Sequence, residues 1–339
     1  MSIPIIYVPN HSLDVYYNFG VESLFVQQKK WRDKRVFLLW RTEPALMLGR
    51  YQDALSEINT AYAKEKKIHI VRRMSGGGTI YTDPGSFQYS FIQAQDGSEI
   101  EFAQFIEPVI KALRELGIPA EFNGRNDLVV AGKKFSGCAQ YKQEGFVVHH
   151  GSILFDTNIE QMVASTTVQD YKLISKGIRS VRERVVNLRD CLPPEHKNMS
   201  TEAFGDTLAA YLASGGKTSE QVKIYQLSSA DQAEARSLGE SEYHSAEAIW
   251  GKNPEFSLEL SGHFPGGHVK LLLSVIHGKI SRADLQGDFF AALKDGELQE
   301  TLQGVDFKRE AVLTALEQAS FGDKIYHLSP QELASLIPI

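Results

Sequence analysis

The sequence predicts an α+β fold divided into two domains. At 339 residues the chain exceeds the length at which one hydrophobic core keeps growing, so a second domain is expected. Short β-branched and aromatic runs, bounded by Gly, Pro or polar clusters, occur together with segments whose apolar residues follow the helical period. The runs are typical of strands in buried mixed or antiparallel sheets, and the periodic segments predict helices that cover them.

The composition is that of a globular protein and argues against several function classes. Hydrophobic residues make up 42% of the chain and charged residues 23%. The formal net charge of -6 disfavours nucleic-acid binding, which normally needs a basic face. Cys138 and Cys191 form no Cys-x-x-Cys motif, so neither a disulfide framework nor a cysteine-bound zinc is favoured. With no signal-peptide pattern and no long apolar run, we expect a cytoplasmic protein that binds no membrane.

The first domain begins with a helix and several short strands. Tyr17, Val21 and Leu24 have helical spacing within residues 12–30, and Ser12 offers an N-cap. Four apolar runs then predict strands, at residues 35–40, 45–48, 68–71 and 79–81. A turn joins the first two strands, and a loop with three consecutive glycines joins the last two.

A second helix, two further strands and a cationic loop follow. The helical period predicts a helix over residues 102–116 that covers one face of the sheet, with Gly117 at its C-cap. Strands are predicted at residues 128–130 and 146–155. We expect the second of these strands to be interrupted at residues 149–152. The cationic residues 172–184 are not periodic and predict a loop, which either closes over a phosphate or is simply solvated.

A change of composition predicts a domain boundary near residue 248. Residues 226–243 are polar and helical, and residues 250–254 have the composition of a linker. We therefore predict a large first domain over residues 1–247 and a small α+β domain over residues 248–339.

The small domain has no catalytic motif. Its predicted strands and turn are residues 256–260, 268–275, a short strand after Gly278, and a turn at 262–267. Its predicted helices are residues 288–294, 308–319 and 330–336. His263 and His268 are interpreted as turn residues rather than metal ligands.

Two glycine turns with adjacent cationic pairs predict one divided anion-binding site. The segments are Arg72-Arg73-Met74-Ser75-Gly76-Gly77-Gly78-Thr79, Asn126-Asp127 and Gly132-Lys133-Lys134-Phe135-Ser136-Gly137. Consecutive glycines let backbone N–H groups approach an anion closely, and Arg and Lys pair with phosphate or carboxylate. Taken singly, the glycines are a flexible turn, the lysines a solvated surface and the arginines a charged strand end. Their joint order favours an enzyme that activates an acid.

Other familiar chemistries lack their motifs. Gly216-Lys217-Thr218 resembles the end of a P-loop, but Tyr211 stands where that motif needs glycine. The glycine run has neither the order nor the acidic residue of a dinucleotide fingerprint. The sequence contains no Gly-x-Ser-x-Gly and no His-Glu-x-x-His. His149 and His150 would point to opposite faces of a strand, so at most one of them can face the site.

These residues carry a resemblance to the lipoate-protein ligases of the long, two-domain bacterial type. The matching segments span nearly the whole chain: Asn18-Phe19-Gly20-Val21-Glu22, Leu48-Gly49-Arg50-Tyr51-Gln52, residues 72–79, Gly124-Arg125-Asn126-Asp127-Leu128, Lys134-Phe135-Ser136-Gly137, His149-His150-Gly151-Ser152 and residues 176–182. The resemblance implies an α+β fold with mixed sheets flanked by helices. It implies that the first domain is a catalytic domain similar to those of biotin protein ligases and octanoyltransferases, and that the second is a small α+β C-terminal accessory domain.

The resemblance implies a two-step reaction. ATP, as a co-substrate with Mg²⁺, converts free lipoate into lipoyl-AMP and pyrophosphate, and a lysine of an acceptor protein then takes the lipoyl group as an amide. No tightly bound prosthetic group is expected. Octanoate is a candidate competing acid, and the candidate acceptors are apo lipoyl domains of 2-oxoacid dehydrogenase E2 subunits and the glycine-cleavage H protein.

The resemblance also implies roles for individual residues. Lys134 aligns with the catalytic lysine and would contact both the lipoyl carbonyl and the phosphate, while Lys133 faces solvent. The residues implied to bind lipoate or lipoyl-AMP are Arg72, Ser75, Gly76, Gly77, Gly78, His150 and Gly151. Those implied to bind ATP or the adenylate are Thr79, Asp83, Asn126, Asp127, Lys134, Lys176, Ser180 and Arg182. Asp127 is the implied Mg²⁺ ligand.

Two departures from the family pattern keep other functions open. Thr82 precedes Asp83 where many relatives have histidine, so no role of that histidine is carried over. Cys138 stands where serine is common, which raises an octanoyl or lipoyl transferase, or an amidotransferase, that uses a thiol and no ATP. A small buried thiol is the favoured interpretation of Cys138. The third alternative is a non-catalytic module that binds lipoyl domains.

Overall fold

The fold is seen in a computed structural model that describes residues 3–52, 54–95, 100–124, 126–166, 181–216, 222–245, 248–249, 258–276 and 278–337. Its strands are β1 Ile5–Pro9, β2 Arg35–Trp40, β3 Ala45–Leu48, β4 His69–Arg72, β5 Ile80–Thr82, β6 Ser86–Ala94, β7 Glu121–Phe122, β8 Asp127–Val130, β9 Lys133–Gln143, β10 Phe146–Leu154, β11 Lys223–Ile224, β12 Leu258–Phe264, β13 Gly267–Ile276 and β14 Lys279–Gly287. Its helices are α1 Val15–Gln27, α2 Ala54–Glu57, α3 Thr60–Glu65, α4 Ala103–Glu115, α5 Ile159–Thr166, α6 Leu188–Cys191, α7 Thr201–Ala213, α8 Ser229–Gly239, α9 Glu297–Leu302, α10 Arg309–Gln318 and α11 Pro330–Ala334. A π-helical turn, Glu240–His244, extends α8.

A mixed sheet of eight strands forms the centre of the first domain. Its order is β11-β1-β2-β6-β10-β9-β8-β7. The β11–β1 and β1–β2 pairs are parallel, and the remaining pairs are antiparallel. Both faces of β2 are buried, which explains its unbroken apolar run. Phe37 packs with α4 and α7 on one face, whereas Val36 and Leu38 pack with α1 on the other. The predicted mixed sheet between helices is confirmed.

Helix α1 is shorter than predicted and begins at a different cap. The carboxylate of Asp14, rather than the hydroxyl of Ser12, accepts the N–H groups of Tyr16 and Tyr17. Ser12 acts one step earlier, since its hydroxyl accepts the N–H of Asp14. Asp satisfies two N-terminal N–H groups at once, and its charge suits the positive end of the helix.

Helices α1 and α8 cross at very short range. A Cβ added to Gly20 would lie 1.9 Å from the carbonyl oxygen of Ala235, and one added to Gly239 would lie 2.6 Å from that of Tyr16. The two glycines therefore let the backbones touch. The same crossing buries Phe19 and Tyr243, whose rings stack at 5.1 Å.

A second sheet, of order β4-β3-β5, holds both ends of the glycine loop. β3 pairs with β4 in parallel and with β5 antiparallel. This confirms that the loop after Arg72 connects two strands. Because β3 also follows directly from β2, the small sheet brings the loop beside the main sheet.

Five strands of the first domain lie outside the predicted set, and one predicted break is wrong. The missed strands are β1, β6, β7, β9 and β11. β6 and β9 alternate Ser or Gln with aromatic or small apolar residues, and both faces of β6 are buried. β10 runs unbroken through His149, His150 and Gly151, because each of these residues pairs with both β6 and β9.

The second domain contains the antiparallel sheet β12-β13-β14 covered by α9, α10 and α11. The turn predicted at residues 262–267 is present but shorter, at residues 265–266. β12 continues to Phe264, since Leu258, Leu260, Gly262 and Phe264 keep the alternation of a half-buried strand. His263 and His268 lie opposite each other on β12 and β13, not in a turn. Across the described ranges, no group of three or more His, Cys, Asp or Glu side chains is arranged to hold a metal.

The helix predicted at residues 288–294 is also wrong. This stretch is extended, with a bridge between Ala291 and Ile325, and its backbone bonds go to other segments. The helix of this region is α9, which begins after Gly296 at φ +78°. The strand predicted after Gly278 is the nine-residue β14, and α10 and α11 are confirmed. No helix in the described parts of the chain has the length and apolar character needed to cross a bilayer.

Candidate active site

A narrow cavity of about 110 Å³ lies between the glycine loop and strands β9 and β10. Polar lining residues include Asn126 and Lys134. The apolar lining residues are Phe19, Trp40, Met47, Ile80 and Phe290. A mainly apolar cavity with a few polar groups is the usual form of a site for a small amphipathic acid.

Lys134 enters the cavity because a tight hairpin sets its register. Ala131 and Gly132 both have positive φ, +50° and +75°, as a two-residue turn between twisted strands requires. The adjacent Lys133 is exposed, as predicted. The Lys134 ammonium lies 2.7 Å from an Asp127 carboxylate oxygen. Gly137 leaves room for the side chain, since a Cβ there would lie 3.2 Å from Lys134 Nζ.

Asn126 is held in place by two bonds to β9. Its carbonyl oxygen accepts the N–H of Cys138 at 2.8 Å, and its side-chain Nδ2 donates to the Cys138 carbonyl at 3.1 Å. Asn126 and Lys134 both line the cavity, and Asp127 stands beside Lys134 through their ion pair. The structure thus brings together three residues that are about eight positions apart or less in sequence.

Arg73 organises the glycine loop from inside. Its guanidinium is buried and donates to the carbonyls of Met47, Gly76 at 3.0 Å and Gly78 at 2.9 Å. Desolvation, with a smaller contribution from the neighbouring Arg72, lowers the pKa of Arg73 to about 10. The group therefore stays charged at neutral pH, and it adds a buried cation to the cavity wall.

Arg72 does not line this cavity. Its guanidinium donates to the carbonyls of Gly49 at 2.9 Å, Gln52 at 2.6 Å and Ile249 at 3.0 Å. It faces a separate cleft between the two domains. Of the two arginines in the motif, the structure brings Arg73 rather than Arg72 to the cavity, because alternation along the chain after β4 sends them to opposite sides.

Ser75, His150 and Glu22 form a buried polar chain beside the cavity. The Ser75 hydroxyl and His150 Nε2 are 2.6 Å apart, and His150 Nδ1 is 3.4 Å from Glu22 Oε2. Glu22 also accepts the hydroxyl of Ser90. His150 lines the cavity, whereas Ser75 is fully buried and fixes the ring.

His149 points to the other face of the sheet, as predicted. Its ring stacks on Phe105 with centroids 4.9 Å apart, and burial holds its pKa well below the usual value. It is therefore a neutral core residue. Gly151 lines the cavity only through its backbone, and a Cβ there would lie 2.4 Å from the Tyr89 hydroxyl on the His149 side.

The remaining predicted nucleotide-binding residues lie in different places. Thr79 lines the cavity and donates its hydroxyl to Gln52 at 2.8 Å. Asp83 is buried in a turn, where it accepts the N–H groups of Gly85 and Asn158. Arg182 pairs with the exposed Glu160 of α5 in a neighbouring cleft. Lys176 and Ser180 lie outside the described residues.

Cys138 has the character of a buried thiol. It lines the cavity wall but is only 2% exposed, and the Tyr89 hydroxyl is 3.0 Å from its sulfur. Burial raises the pKa of this thiol to about 11. The thiolate is the nucleophilic form, so the geometry disfavours catalysis by Cys138.

The sequence analysis gave no individual role to several cavity residues, although Phe19, Arg73 and Ser152 lie in motifs that it named. These residues are Phe19, Trp40, Met47, Arg73, Ile80, Gln88, Ser152 and Phe290. Phe19, Trp40 and Met47 lie in elements that were predicted, but an apolar residue on a strand carries no mark that separates a ligand contact from the core. Phe290 belongs to the second domain, and no local pattern connects it with the glycine loop.

Comparison with known proteins identifies the family. A family model described as "Lipoyl protein ligase A/B catalytic domain" matches residues 14–213, and one described as "Bacterial lipoate protein ligase C-terminus" matches residues 253–337. A lipoate-protein ligase of Bacillus subtilis, LplJ, is 33% identical over 334 residues, covering 98% of this chain and 99% of the relative. The chain belongs to the lipoate-protein ligase family. It is therefore an enzyme of the lipoate-ligase type, as the sequence motifs predicted.

Solved structures of this family share the fold. Plasmodium falciparum LipL1, crystallised with lipoate, has a TM-score of 0.75 at 19% identity, covering 93% of this chain and 94% of that one. A bipartite ligase from Thermoplasma acidophilum, studied together with its E2 lipoyl domain, has a TM-score of 0.66 at 22% identity, covering 76% and 100%. A lipoate-protein ligase A bound with ATP has a TM-score of 0.59 at 20% identity, covering 73% and 99%.

Proposed function

We propose that the chain is an ATP-dependent, AMP-forming lipoate-protein ligase. It activates free lipoate to lipoyl-AMP and then transfers the lipoyl group to a lysine of an acceptor domain. The observation that carries this proposal is the cavity itself, in which apolar walls for a hydrocarbon chain meet Lys134 and Asn126. Relatives that cover the whole chain carry the same name, and the structures with lipoate and with ATP share its fold.

The first step brings two anions together. A carboxylate oxygen of lipoate attacks the α-phosphorus of ATP, and the bond to pyrophosphate breaks. Lys134 is the cation that we assign to this step, because it lines the cavity. Its ammonium now lies 2.7 Å from an Asp127 oxygen, and substrate oxygens can take the place of that partner. A preorganised ammonium stabilises charge that develops on the transferred phosphoryl group, and it holds the acid and the phosphate in line.

In the second step the amine of the acceptor lysine attacks the carbonyl of lipoyl-AMP, and AMP leaves. Lys134 can stay on the carbonyl oxygen and the phosphate, so the same contact supports both steps. Asn126, held by its two bonds to Cys138, is the proposed neighbour for the nucleotide, with Thr79 and Asp127. Lys176, Ser180 and Arg182 remain proposed as the loop that covers the adenylate.

The donor set suits Mg²⁺ delivered with the nucleotide. Mg²⁺ commonly uses one or two carboxylates together with substrate phosphates and waters. Asp127 provides one carboxylate beside the cavity. We propose Asp127 as its protein ligand; the ion would neutralise phosphate charge.

The other residues that the family resemblance implies for lipoate binding are assigned roles from their positions in the structure. Gly77, Gly78, His150 and Gly151 line the cavity, and we propose that they contact the lipoyl chain or its carbonyl. Ser75 supports His150 from behind. We propose that Arg72 and Asp83 act as structural residues of the loop ends, since both form hydrogen bonds with backbone groups there.

A thiol-dependent transferase is the second candidate, and Cys138 does not favour it. A nucleophile needs access and a depressed pKa, whereas this thiol is buried and its pKa is raised. For the acceptor we propose an apo lipoyl domain of an E2 subunit, with the H protein as a further candidate. The ligase from Thermoplasma acidophilum is described with its E2 lipoyl domain, which supports this choice.

Two expectations about organisation remain proposals. We propose a catalytic domain over residues 1–247 and an accessory domain over residues 248–339, supported by hydrophobic clusters that divide at this position except for Tyr51, Phe290 and Tyr326. We also propose a cytoplasmic location, since Cys138 and Cys191 are both free thiols and suit a reducing compartment.

The testing experiment is intact-mass analysis of an apo lipoyl domain after incubation with the protein and lipoate. We expect the mass of one lipoyl group to appear only when ATP and Mg²⁺ are both present. Modification from octanoyl carrier protein without ATP would replace the proposal with the transferase. No modification of E2 domain or H protein in either assay would favour a binding module.

A further inference from the structure

A short segment of the second domain, residues 287–291, is seated on two motifs of the first domain. The Gly287 N–H donates to the Tyr51 carbonyl and the Gly77 N–H donates to the Phe289 carbonyl, both at 2.8 Å. The rings of Tyr51 and Phe289 stack with centroids 4.6 Å apart. Nearby, Arg50 pairs with Asp295 at 2.5 Å. The motif at residues 48–52 therefore holds this segment through Arg50 and Tyr51.

The glycine loop is shaped to receive the same segment. A Cβ on Gly76 would lie 2.0 Å from the Phe289 carbonyl oxygen, and one on Gly77 would lie 2.7 Å from the ring of Phe290. Gly77 also has φ +89°, in the region that favours glycine. Around Gly78, by contrast, the nearest atom to an added Cβ is 3.9 Å away. Two of the three glycines are thus explained by contact with the second domain rather than with an anion.

This contact brings Phe290 into the wall of the cavity. Phe290 is 2% exposed, packs against Phe102 with ring centroids 5.5 Å apart, and lines the cavity together with Gly77. Its neighbour Phe289 is also buried, but it faces Tyr51 and does not line the cavity. An apolar ring on this wall suits the hydrocarbon chain of the acid rather than the phosphates of ATP.

We propose that Phe290 is a specificity-determining residue for the acyl chain, and that the acid site is complete only when residues 287–291 are seated on Gly76 and Gly77. This inference rests on the proposed function for the identity of the acid. It assigns to the second domain a direct part in binding the substrate. By linkage, the acid binds more tightly when the segment is seated, and the bound acid stabilises the seated segment to the same extent.

The test compares Phe290→Leu with the matched control Phe289→Leu. Both changes shorten a buried apolar ring at adjacent positions, and only the first alters the cavity wall. Lipoate binding to each purified full-length protein is measured by isothermal titration calorimetry, and KM values for lipoate and ATP are measured through pyrophosphate release. Thermal midpoints report whether each variant is folded.

For Phe290→Leu we expect the lipoate Kd and KM to rise by about fivefold, while the KM for ATP stays within about twofold. Phe289→Leu should leave the lipoate Kd within about twofold even if its thermal midpoint falls, because the backbone hydrogen bonds at Gly77 and Gly287 keep the segment seated. Equal losses in both variants, or an unchanged lipoate Kd in Phe290→Leu, would overturn the assignment. If Phe290→Leu fails to fold, Phe290→Met with the same expected split takes its place.

The two proposals fail in different ways. Wild-type protein that binds lipoate but releases no pyrophosphate with ATP refutes the ligase function, and the Kd comparison still decides the role of Phe290. Wild-type protein that releases pyrophosphate while the two Leu variants bind lipoate equally refutes the role of Phe290 and leaves the ligase function standing. Wild-type protein that binds no lipoate refutes both.

Discussion

The seating of the second domain on the glycine loop predicts that Gly76 and Gly78 respond differently to the same substitution. In Gly76→Ala the new methyl group would lie 2.0 Å from the Phe289 carbonyl oxygen, whereas ordinary van der Waals contact begins at 3.4 Å. Because the clash is with backbone, residues 287–291 have to move by about 1 Å or more. In Gly78→Ala the nearest atom is Cβ of Asp288 at 3.9 Å, so nothing has to move.

The cost can be worked out from the contacts that are lost. The hydrogen bond from the Gly77 N–H to Phe289 is worth about 1 kcal/mol net. Partial exposure of Phe290, now 2% exposed, costs about 1–3 kcal/mol. Together these give about 2–4 kcal/mol, which is a loss of at least about 30-fold in the equilibrium constant for seating.

Amide hydrogen exchange reports on the equilibrium constant for seating residues 287–291 on the glycine loop. In Gly76→Ala we expect the Gly77 and Gly287 amides, whose hydrogen bonds join the two domains, to lose protection by about 30-fold or more. The core amides of β2 and β10 serve as an internal reference and should not change. Wild-type protection in Gly76→Ala would refute the contact, and an equal loss in Gly78→Ala would show that loop flexibility, rather than contact, explains the glycines.

Four further predictions concern the side chains of Lys134, Cys138 and Arg73. Lys134→Ala should lower kcat/KM for adenylate formation by about 100-fold, since two charge-assisted hydrogen bonds to the substrates are lost. The exposed Lys133 is the control, and Lys133→Ala should change kcat/KM by no more than about twofold. A near-normal rate of pyrophosphate release by Lys134→Ala would exclude the catalytic role. In a Cys191→Ser background, Cys138 should not react with a thiol reagent in the native state at pH 8, and unfolding should expose it. Because folding raises the pKa of Cys138 from an ordinary 9.0 to about 11, the contribution of this thiol to stability is complete below pH 9 and is lost as the pH rises through 11. In urea titrations at several pH values, the free energy of unfolding of a Cys138→Ala variant should therefore fall less steeply between pH 9 and pH 11. Arg73→Lys should lower the thermal midpoint, because a compact ammonium cannot reproduce the planar guanidinium fork that reaches three separate carbonyls. An unchanged midpoint would contradict that role.

Local patterns were enough to predict the elements that carry the motifs. The strands on both sides of the glycine loop, the helix ending before Gly117 and strand β8 all rest on signals within about fifteen residues, whereas β9, which carries Lys134, was missed. The opposite directions of His149 and His150 follow from strand geometry alone. These features could be predicted because each depends only on its own stretch of chain.

The parts that could not be predicted depend on contacts distant in sequence. Phe290 lines the cavity although it lies more than two hundred residues from the glycine loop in sequence. The stretch around it is extended because its backbone hydrogen bonds go to Gly77, Lys324 and Tyr326 rather than to residues of the same stretch. Since these distant partners cannot be seen in the local sequence, the apolar residues of this stretch led to the prediction of a helix. Likewise, the choice between Arg72 and Arg73 depends on carbonyl groups of residues 47–52, which no pattern near the arginines reveals.

The close crossing of α1 and α8 determines when the first domain can finish folding during synthesis. The match to the catalytic-domain family model ends at residue 213, before β11 and α8 have been made. A nascent chain that ends at residue 213 contains α1 but lacks α8, against which Gly20 packs. One edge of β1 is also unpaired, because β11 has not been made. Apolar helix faces and open strand edges are the features that make incomplete chains aggregate. A chain shortened to residue 213 should therefore be insoluble on expression, whereas one extended to residue 245 keeps the residues that close both surfaces.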